Sequence, residues 1–496
     1  MDGFRLTGFL AAPEDYSLTG LSLLEMFTVN GEEWLIAGSS ASGAVTRIGL
    51  QGAFTVRDIS WSAQDGAGVP LSGGLCVEMG GHETLVGFDR MSARVTLQEM
   101  DGAGRLATPS FLRLENGTAV EATQMNAFEM NGRNWLVGVD ADRDGISLYR
   151  LGDNARATRT DQVSDTAKTH SAHVSDTVTV EVGGTHYIVT ASAHENGMTS
   201  HRVSANGDLS VVDSIGTRDG LWSTGLVDLT AIEMGGQTYL IGVGAQSGTL
   251  AAVRINPAGV FFVSEIEIDD RESRFAGVNA VETFAAQGRD FVIVGGTDGG
   301  ISMFELLPGG TFFHHLNAVQ TNDWDIGTIT EITARVSGGE VQVFLAGAGD
   351  GGLAQLSLSL ADLGTRWSGS NGADSRSGTA GHDMLLGARG NDTLNGGAGD
   401  DVLHAGTGAD RLIGGAGADV FAFTADGSAD RIDDFELGVD RIDLSDWGLL
   451  YHISALDIGG RNNGAVIEFR DEALRLYSAD GNRIDADDLG QEDFIF

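Results

Sequence analysis

GSNGADSRS, GTAGHDMLL, GARGNDTLN, GGAGDDVLH, AGTGADRLI and GGAGADVFA follow one another without a gap over residues 369–422. These six nine-residue units share a glycine at the fourth position, an aspartate at the sixth and, after the first unit, an apolar residue at the eighth. The glycines are Gly372, Gly381, Gly390, Gly399, Gly408 and Gly417, and the aspartates are Asp374, Asp383, Asp392, Asp401, Asp410 and Asp419. Arg376 is the exception at the eighth position. A strict period of this kind predicts a repeated structural unit.

The spacing predicts a turn followed by a short strand in each unit. Glycines permit a tight turn that points several carbonyl oxygens into a small space, and the aspartate adds an anionic oxygen. Oxygen ligands at this density suit Ca²⁺. Alternating turns and strands would wind into a parallel β-roll in which units two apart share an edge. Asp374, Asp392 and Asp410 would then lie on one edge and the other three aspartates on the opposite edge, with about four complete calcium sites.

This pattern resembles the G-G-x-G-x-D-x-U-x repeat of RTX, or hemolysin-type, calcium-binding proteins. The resemblance implies export by a type I secretion exporter, with an uncleaved signal at the C-terminus and folding on contact with extracellular calcium. The alternative is a Gly/Asp-rich disordered tract, which six in-phase units argue against. Without metal, the stacked carboxylates would repel one another, so we expect folding of these repeats to be coupled to calcium.

The segment after the repeats resembles the C-terminal region of serralysin-type RTX proteins. That pattern is D-x-I-x-D-F-x-x-G-x-D-x-I-D-L-S, and here it is carried by Asp430, Ile432, Asp434, Phe435, Gly438, Asp440, Ile442, Asp443, Leu444 and Ser445. The acidic-apolar ending DADDLGQEDFIF is similar to the terminus of the same family. It is predicted to be the secretion signal; the alternative is an ordinary edge strand that caps the roll, and both roles can hold at once.

The N-terminal sequence and the calcium repeats give conflicting indications of the compartment in which the protein is located. The formal net charge of −40 argues against nucleic acid or an anionic membrane as a partner, and no stretch is long and apolar enough for membrane insertion. Cys76 is the single cysteine, and the N-terminal sequence has no basic and apolar leader, which alone would indicate the cytoplasm. Weak extracellular-type calcium sites bind at ~10⁻⁴ to 10⁻³ M and would stay empty there. The repeats therefore favour a secreted, extracellular protein.

The first 365 residues contain a second, longer repeat. A buried-strand phrase recurs about every 52 residues, and it begins at Trp34, Leu85, Trp135, Tyr187, Tyr239, Phe291 and Val343. Most copies lie among four short strands joined by glycine-centred turns such as TDGG (297–300) and GDGG (349–352). This repeat predicts a seven-bladed β-propeller over 1–365. Together with the nonapeptides and the C-terminal segment, it predicts an all-β chain with a calcium-binding β-roll over 366–422 and a β-rich cap with the secretion signal over 423–496. A solenoid of β-sheets is the alternative, but the strand Phe4–Leu10 is available to complete the seventh blade and close a ring.

Sequence motifs leave the role of the propeller open. Asp140, Asp142 and Asp144 have calcium-loop order, but Leu151 replaces the expected glutamate, so an acidic hairpin is favoured. The histidines between His170 and His201 could form a metal or catalytic site, yet they lack the H-E-x-x-H spacing. No G-x-S-x-G or P-loop motif occurs, and no catalytic residue is predicted. We expect an extracellular binding or adhesion module with an unknown ligand; a secreted hydrolase or lactonase-like enzyme with a site at the channel mouth is the alternative.

Overall fold

A computed structural model describes residues 3–11, 18–51, 54–61, 70–142, 144–152, 156–269, 273–348, 351–448, 450 and 452–495. These residues form β-strands, turns and five 3₁₀ helices of three residues each, Thr217–Asp219, Ser445–Trp447, Ile453–Ala455, Ala486–Asp488 and Gln491–Asp493. Within these ranges we find no helix of the length and hydropathy that a membrane crossing requires. The chain divides into two compact units, one formed mainly by residues 3–358 and the other mainly by residues 359–495. Gly349, Asp350 and Phe496, which belong to two of the motifs above, lie outside the described residues.

The larger unit begins with strand β1 (Arg5–Leu10) and continues with seven antiparallel sheets. The first three sheets contain β2 (Leu21–Val29), β3 (Glu32–Ser39), β4 (Ala44–Gly49) and β5 (Thr55–Trp61); β6 (Gly73–Met79), β7 (His82–Phe88), β8 (Val95–Glu99) and β9 (Ser110–Phe111); and β10 (Arg113–Leu114), β11 (Gln124–Met130), β12 (Arg133–Val139), β13 (Gly145–Leu151) and β14 (Arg156–Ser164). Each sheet is one blade of a propeller, and its first long strand is innermost. The short strand β10 adds a parallel edge to the third blade.

The next four blades follow the same order. They contain β15 (Val174–Val182), β16 (Thr185–Ser192), β17 (Gly197–Val203) and β18 (Leu209–Gly216); β19 (Leu226–Met234), β20 (Gln237–Gly244), β21 (Thr249–Ile255) and β22 (Phe261–Ile268); β23 (Ala280–Ala286), β24 (Arg289–Gly295), β25 (Gly300–Leu306) and β26 (Phe312–Val319); and β27 (Ile329–Ser337), β28 (Glu340–Gly347) and β29 (Leu353–Ser359). Strands β24 and β25 are buried along their whole length because blades cover both of their faces.

Strand β1 completes the seventh blade by antiparallel pairing with β29, from Arg5 opposite Ser357 to Leu10 opposite Leu353. Strand β27 lies beside β2 of the first blade, and the Thr330 hydroxyl donates to the Leu21 carbonyl at 2.9 Å. These contacts join the last blade to the first. The predicted seven-bladed ring and its closure by the N-terminal strand are confirmed, and the open solenoid is excluded.

The smaller unit is a two-sheet parallel roll with a β-hairpin cap. Its strands are β30 (Leu363–Ser368), β31 (Ser375–Ser377), β32 (His382–Leu386), β33 (Thr393–Ala398), β34 (Val402–His404), β35 (Arg411–Ala416), β36 (Val420–Ala422), β37 (Ala429–Phe435), β38 (Arg441–Asp443), β39 (Asp457–Arg461), β40 (Gly464–Phe469), β41 (Glu472–Ser478) and β42 (Phe494–Ile495). One sheet has the order β30-β32-β34-β36-β38-β42 and the other β31-β33-β35-β37-β41-β40-β39. The domain boundary predicted between residues 365 and 366 lies within strand β30.

The core of the roll is a single file of side chains between the two sheets. Apart from Arg376, the eighth residue of each nonapeptide points inward, and its side chain is fully buried: Leu385, Leu394, Leu403, Leu412 and Phe421. Each strand therefore contributes one apolar side chain to the core of the repeats. The predicted all-β roll is confirmed, and its narrow core makes the turns at its edges important for stability.

Candidate metal centre

The six repeat aspartates form two carboxylate ladders, one along each edge of the roll. In each ladder the backbone N–H of one aspartate donates to Oδ1 of the aspartate 18 residues later. One ladder joins Asp374 to Asp392 and Asp392 to Asp410, both at 2.7 Å. The other joins Asp383 to Asp401 at 2.7 Å and Asp401 to Asp419 at 2.9 Å. The structure thus brings the predicted site residues together in the two sets of three that the period predicts.

Both ladders continue beyond the nonapeptides. Asp410 N–H donates to Asp430 at 2.8 Å, and Asp419 N–H donates to Asp440 at 3.0 Å. At the other end, Thr365 takes the place of an aspartate and donates its N–H to Asp383 at 2.5 Å. Asp430 and Asp440 were not among the site residues predicted from the sequence. The sequence does contain a signal for them, because an apolar residue follows each aspartate two positions later, as in the repeats. These residues are the buried Ile432 and Ile442.

The second carboxylate oxygen, Oδ2, divides the turns into two kinds. In the first two units this oxygen accepts two hydrogen bonds from the residue four positions earlier, one from its backbone N–H and one from its hydroxyl. Ser370 donates both to Asp374, and Thr379 donates both to Asp383. In Asp392, Asp401 and Asp410 the same atom is buried and has no hydrogen-bond partner. A buried anionic oxygen without a partner is costly, so these three carboxylates need a counter-charge.

The fourth-position glycines show the same division. Gly390, Gly399, Gly408 and Gly417 have φ between +114° and +139°, which disfavours other residues. A Cβ on Gly408 would lie 1.8 Å from the Gly390 carbonyl oxygen, whereas a Cβ on Gly372 would meet nothing closer than the Ser370 hydroxyl at 3.9 Å. Neither Gly372 nor Gly381 has φ in this positive range. The later turns therefore stack backbone on backbone, which requires glycine.

Burial raises the pKa of the ladder carboxylates, and repulsion between neighbouring rungs adds to the effect. The pKa rises to about 8 for Asp401, about 7 for Asp419 and about 6 for Asp410, from an ordinary 3.8. Asp430 and Asp440 rise to about 7 and about 6 for the same reasons. The metal-free ladders thus hold their negative charge poorly, and a bound cation would remove the penalty.

The donor set is that of a hard cation. Anionic oxygens with no partner, surrounded by glycine turns rich in carbonyl groups, suit Ca²⁺, which takes six to eight oxygen ligands. Within the described ranges no three His, Cys, Asp or Glu side chains converge on one point. Each turn supplies one sixth-position carboxylate, and the fourth turn adds Asp400, so most ligands of a bound calcium would be backbone carbonyls. The Oδ2 atoms of Asp392, Asp401 and Asp410 are the side-chain oxygens that the structure leaves available to hold it.

The comparison with protein families agrees with this geometry. Residues 368–403 and 396–426 match the family described as the RTX calcium-binding nonapeptide repeat. Residues 368–426 contain RTX calcium-binding repeats. No curated protein matches the chain. The serralysin-like region after the RTX repeats has no match of its own and stays a prediction.

Solved structures resemble the propeller only in outline. The structure of the Dos1 propeller has 13% sequence identity and a TM-score of 0.42, and the match covers 71% of this chain and 83% of that one. A protein from Lactobacillus plantarum has 11% identity and a TM-score of 0.41, with 66% and 95% of the two chains covered. With similarity this low, the strand pairing given above is what defines the seven blades.

The acidic hairpin of the third blade does not bring its three carboxylates together. Asp140 accepts from the Ser147 hydroxyl at 2.7 Å and from the Gln162 amide at 2.9 Å, both within its own blade. Asp142 accepts the backbone N–H of Asp144 at 3.2 Å. These hydrogen bonds are those of an ordinary hairpin.

The histidines of the fourth blade are dispersed. The His170 ring lies against Gly197 and Gly216, and its Nδ1 is 2.8 Å from the Ser214 hydroxyl. His201 is buried without a polar partner, and burial lowers its pKa to about 4. Only the exposed His173 and His194 meet, with ring centroids 4.8 Å apart. Two imidazoles without a third ligand do not make a catalytic metal site.

The propeller channel contains carboxylates that the sequence analysis missed. Its innermost strands contribute Glu25, Asp176, Asp228, Glu282 and Glu331, which we call the channel carboxylates. Burial raises the pKa of all five, to about 7 for Glu25 and about 8 for Glu282 and Glu331, and the charges of Glu25 and Asp228 act on Glu331 across blades. In four of the seven blades the third residue of the first strand is acidic, and this recurrence was the signal in the sequence that could have found them.

Most channel carboxylates hold the next blade in place. Asp176 accepts the Leu229 N–H at 2.7 Å, and Asp228 accepts the Val281 N–H at 2.8 Å. Glu25 accepts the Cys76 N–H at 3.2 Å. In each case an acid from one blade receives a backbone donor from the following blade. These contacts make the carboxylates structural links around the ring.

Proposed function

We propose that the protein is a secreted calcium-binding protein whose RTX roll folds on calcium after type I export and whose propeller acts as an extracellular binding or adhesion module. The observation that carries the proposal is the set of buried, unpartnered Oδ2 atoms of Asp392, Asp401 and Asp410 within the RTX-matching segment. Weak sites of this class fill at extracellular calcium levels and stay empty inside a cell. Folding is thereby delayed until the chain has left the cell.

The C-terminal segment is proposed to carry the secretion signal. Its last strand, β42, pairs with β38, and Phe494 is buried in the core of the roll. Such a strand can cap the folded roll and still be read by an exporter earlier, because the chain crosses the membrane unfolded. The two roles predicted for this segment are therefore compatible.

Export and folding can be separated with two variants in a host that carries a type I exporter. Deletion of residues 440–496 should abolish export, whereas Asp401→Asn should leave export intact and weaken calcium-dependent protease resistance of the exported protein. The measurements are the amount of chain in the medium and its proteolysis with calcium or EGTA. Normal export of the deleted chain would exclude the signal assignment, and calcium-independent protease resistance would exclude the folding mechanism.

The channel carboxylates favour one second candidate, a propeller hydrolase. Convergent carboxylates with raised pKa values can serve as general acid and base. Against this, Asp176 and Asp228 already accept backbone donors from the next blade, which is a structural use. An assay on glycosides and lactones with the wild type and Glu331→Gln would decide: turnover lost in the variant supports the enzyme, and absence of turnover supports the binding module.

A further inference from the structure

The cap of the roll has an arginine-rich groove that takes no part in the carboxylate ladders. The groove has a volume of about 640 Å³ and lies on strands β39 to β41. Its polar lining consists of Arg461, Asn462, Asn463, Arg475, Tyr477 and Arg483. Every one of these side chains can donate a hydrogen bond, and no carboxylate lines the groove. In a chain with a net charge of −40, this local excess of donors and positive charge is unexpected.

The strand register brings three arginines side by side. Arg411 lies next to Arg431 on the parallel strands β35 and β37, and Arg431 lies next to Arg475 on the parallel strands β37 and β41. Like charges in neighbouring register positions destabilise a sheet unless a counter-charge is supplied. The row of arginines therefore has an electrostatic cost that its carboxylate partners must offset.

The available carboxylates offset only part of this charge. Asp433 pairs with both Arg411 and Arg431, and its Oδ1 is 2.8 Å from Arg431 Nε. Asp485 pairs with Arg483 at 2.7 Å. Within the described part of the chain, Arg461 and Arg475 have neither an ion-pair nor a hydrogen-bond partner. Two guanidinium groups in one groove are thus left for an external anion.

The shape and composition of the groove indicate the kind of anion. A volume of this size is in the range of small-molecule sites and exceeds what one inorganic ion needs. Guanidinium groups match the two oxygens of a sulfate, phosphate or carboxylate, and the Asn462 and Asn463 amides can bind hydroxyl groups. The Tyr477 ring, with the Arg431 guanidinium 5.7 Å from its centroid, adds an apolar wall.

We propose that this groove binds a small ligand with several oxyanion groups, such as a sulfated or phosphorylated sugar. Arg461 and Arg475 would hold two of its oxyanions. The site goes beyond the proposed function, because it gives the C-terminal cap a ligand of its own, independent of the propeller. The same face carries Asp457 and Glu468, opposite each other on β39 and β40 in the row that follows that of Arg475. These carboxylates would keep the ligand at the arginine end.

The test is calorimetric titration of the full-length protein, in calcium, with sucrose octasulfate and, as a neutral match of the same skeleton, sucrose. Inositol hexaphosphate, titrated also into the calcium buffer alone so that its heat of calcium binding can be subtracted, distinguishes a preference for phosphate from one for sulfate. We expect binding of one or both polyanions and none of sucrose, with affinity that falls as sodium chloride is raised. The variant Arg461→Gln/Arg475→Gln should weaken binding by roughly tenfold or more, and Arg218→Gln, an exposed propeller arginine, should leave it unchanged.

The double variant should also keep the calcium-dependent folding of the roll, measured by circular dichroism, because neither arginine has a partner to lose. Equal binding by the wild type and the double variant would overturn the proposal, as would failure of both polyanions to bind or equal binding of sucrose. Loss of calcium-dependent folding in the wild type would contradict the proposed function instead, so the two failures are distinguishable.

Discussion

The roll and the propeller both bury acidic side chains in repeated turns or strands, but they compensate them differently. In the propeller, Asp176 and Asp228 each receive a backbone N–H from the following blade. In the roll, one oxygen of each ladder carboxylate receives an N–H, while the second oxygen of Asp392, Asp401 and Asp410 receives nothing. The propeller provides Asp176 and Asp228 with its own backbone donors, whereas the three carboxylates of the roll need a cation.

The propeller also buries more apolar side chains per strand than the roll does. A propeller blade buries whole strands on both faces, as in β24, whereas a repeat strand of the roll is short and places a single side chain, such as Leu403 or Phe421, between the two sheets. Apolar burial therefore stabilises a propeller blade far more than a roll turn. Calcium dependence should follow the distribution of buried apolar area as well as that of unpartnered carboxylates.

Removal of calcium should give the largest effect. In EGTA the backbone amides of residues 375–443 should lose hydrogen-exchange protection, because the ladder carboxylates then have no counter-charge. The amides of β15 to β25 in the propeller should keep theirs. Hydrogen exchange with mass spectrometry on the full-length protein, with and without calcium, measures both at once. Equal protection of the two units in EGTA would remove the distinction between them.

A pair of glycine substitutions tests the division within the roll. In Gly408→Ala the new Cβ would overlap the Gly390 carbonyl oxygen at a positive φ, and the strained backbone alone should cost about 1–3 kcal/mol. In Gly372→Ala the Cβ has space, so folding should change little. The calcium concentration at the midpoint of folding, followed by circular dichroism, should rise for the first variant only. An equal shift in both variants would show that all six turns are alike.

Proton and calcium should compete in the roll. Burial raises the pKa of Asp401 to about 8 in the folded, metal-free roll, so that state binds protons more tightly than the unfolded chain does. Its stability in EGTA should therefore fall as pH rises from about 4 to about 8. With calcium the trend should reverse, because protons displace the metal at low pH. Hydrogen exchange of the repeat amides at pH 5 and pH 8, with calcium and in EGTA, measures the direction of both pH trends. The same trend in both conditions would contradict competition between protons and calcium.

The sequence predicts the roll almost completely, because its period is short and each residue type has one physical role. The ladder pairing, the buried eighth residue and the division between two edges all follow from nine residues. What it does not reveal is that Ser370 and Thr379 close the first two turns, since their hydroxyls reach the carboxylates only in the folded turn. The rungs at Asp430 and Asp440 were missed because insertions change the spacing to 20 and 21 residues.

The propeller was predictable as an architecture but not as a chemical surface. Its period of about 52 residues predicts the number of blades, and the unassigned strand before the first blade predicts how the ring closes. Four of the channel carboxylates come from positions about 50 residues apart, and Glu25 lies 151 residues before the first of them. Four of them share the third position of the first strand of a blade, but this recurrence does not show that they converge, and only the ring brings them together. The arginine groove was missed for a similar reason, since Arg431 and Arg475 become neighbours only through strand pairing.

The smallest expected effect concerns a channel carboxylate, Glu331. Burial raises its pKa to about 8, so the folded propeller loses stability as pH rises from about 4.5 to about 8 and the side chain ionises. Glu331→Gln keeps the side chain neutral and should therefore stabilise the propeller at pH 9, with almost no change at pH 5. The exposed Glu233 on β19 provides the control, Glu233→Gln, which should be neutral at both values.

The measurement is urea unfolding of the full-length protein in EGTA, followed by tryptophan fluorescence. A stabilised Glu331→Gln at pH 9 would show that the propeller tolerates its carboxylates without needing their charge, unlike the calcium-binding roll. Destabilisation at pH 9 would show that the ionised Glu331 is itself holding a positive partner. The channel would then resemble the roll in depending on a cation, and the contrast between the two units would be reduced to one of degree.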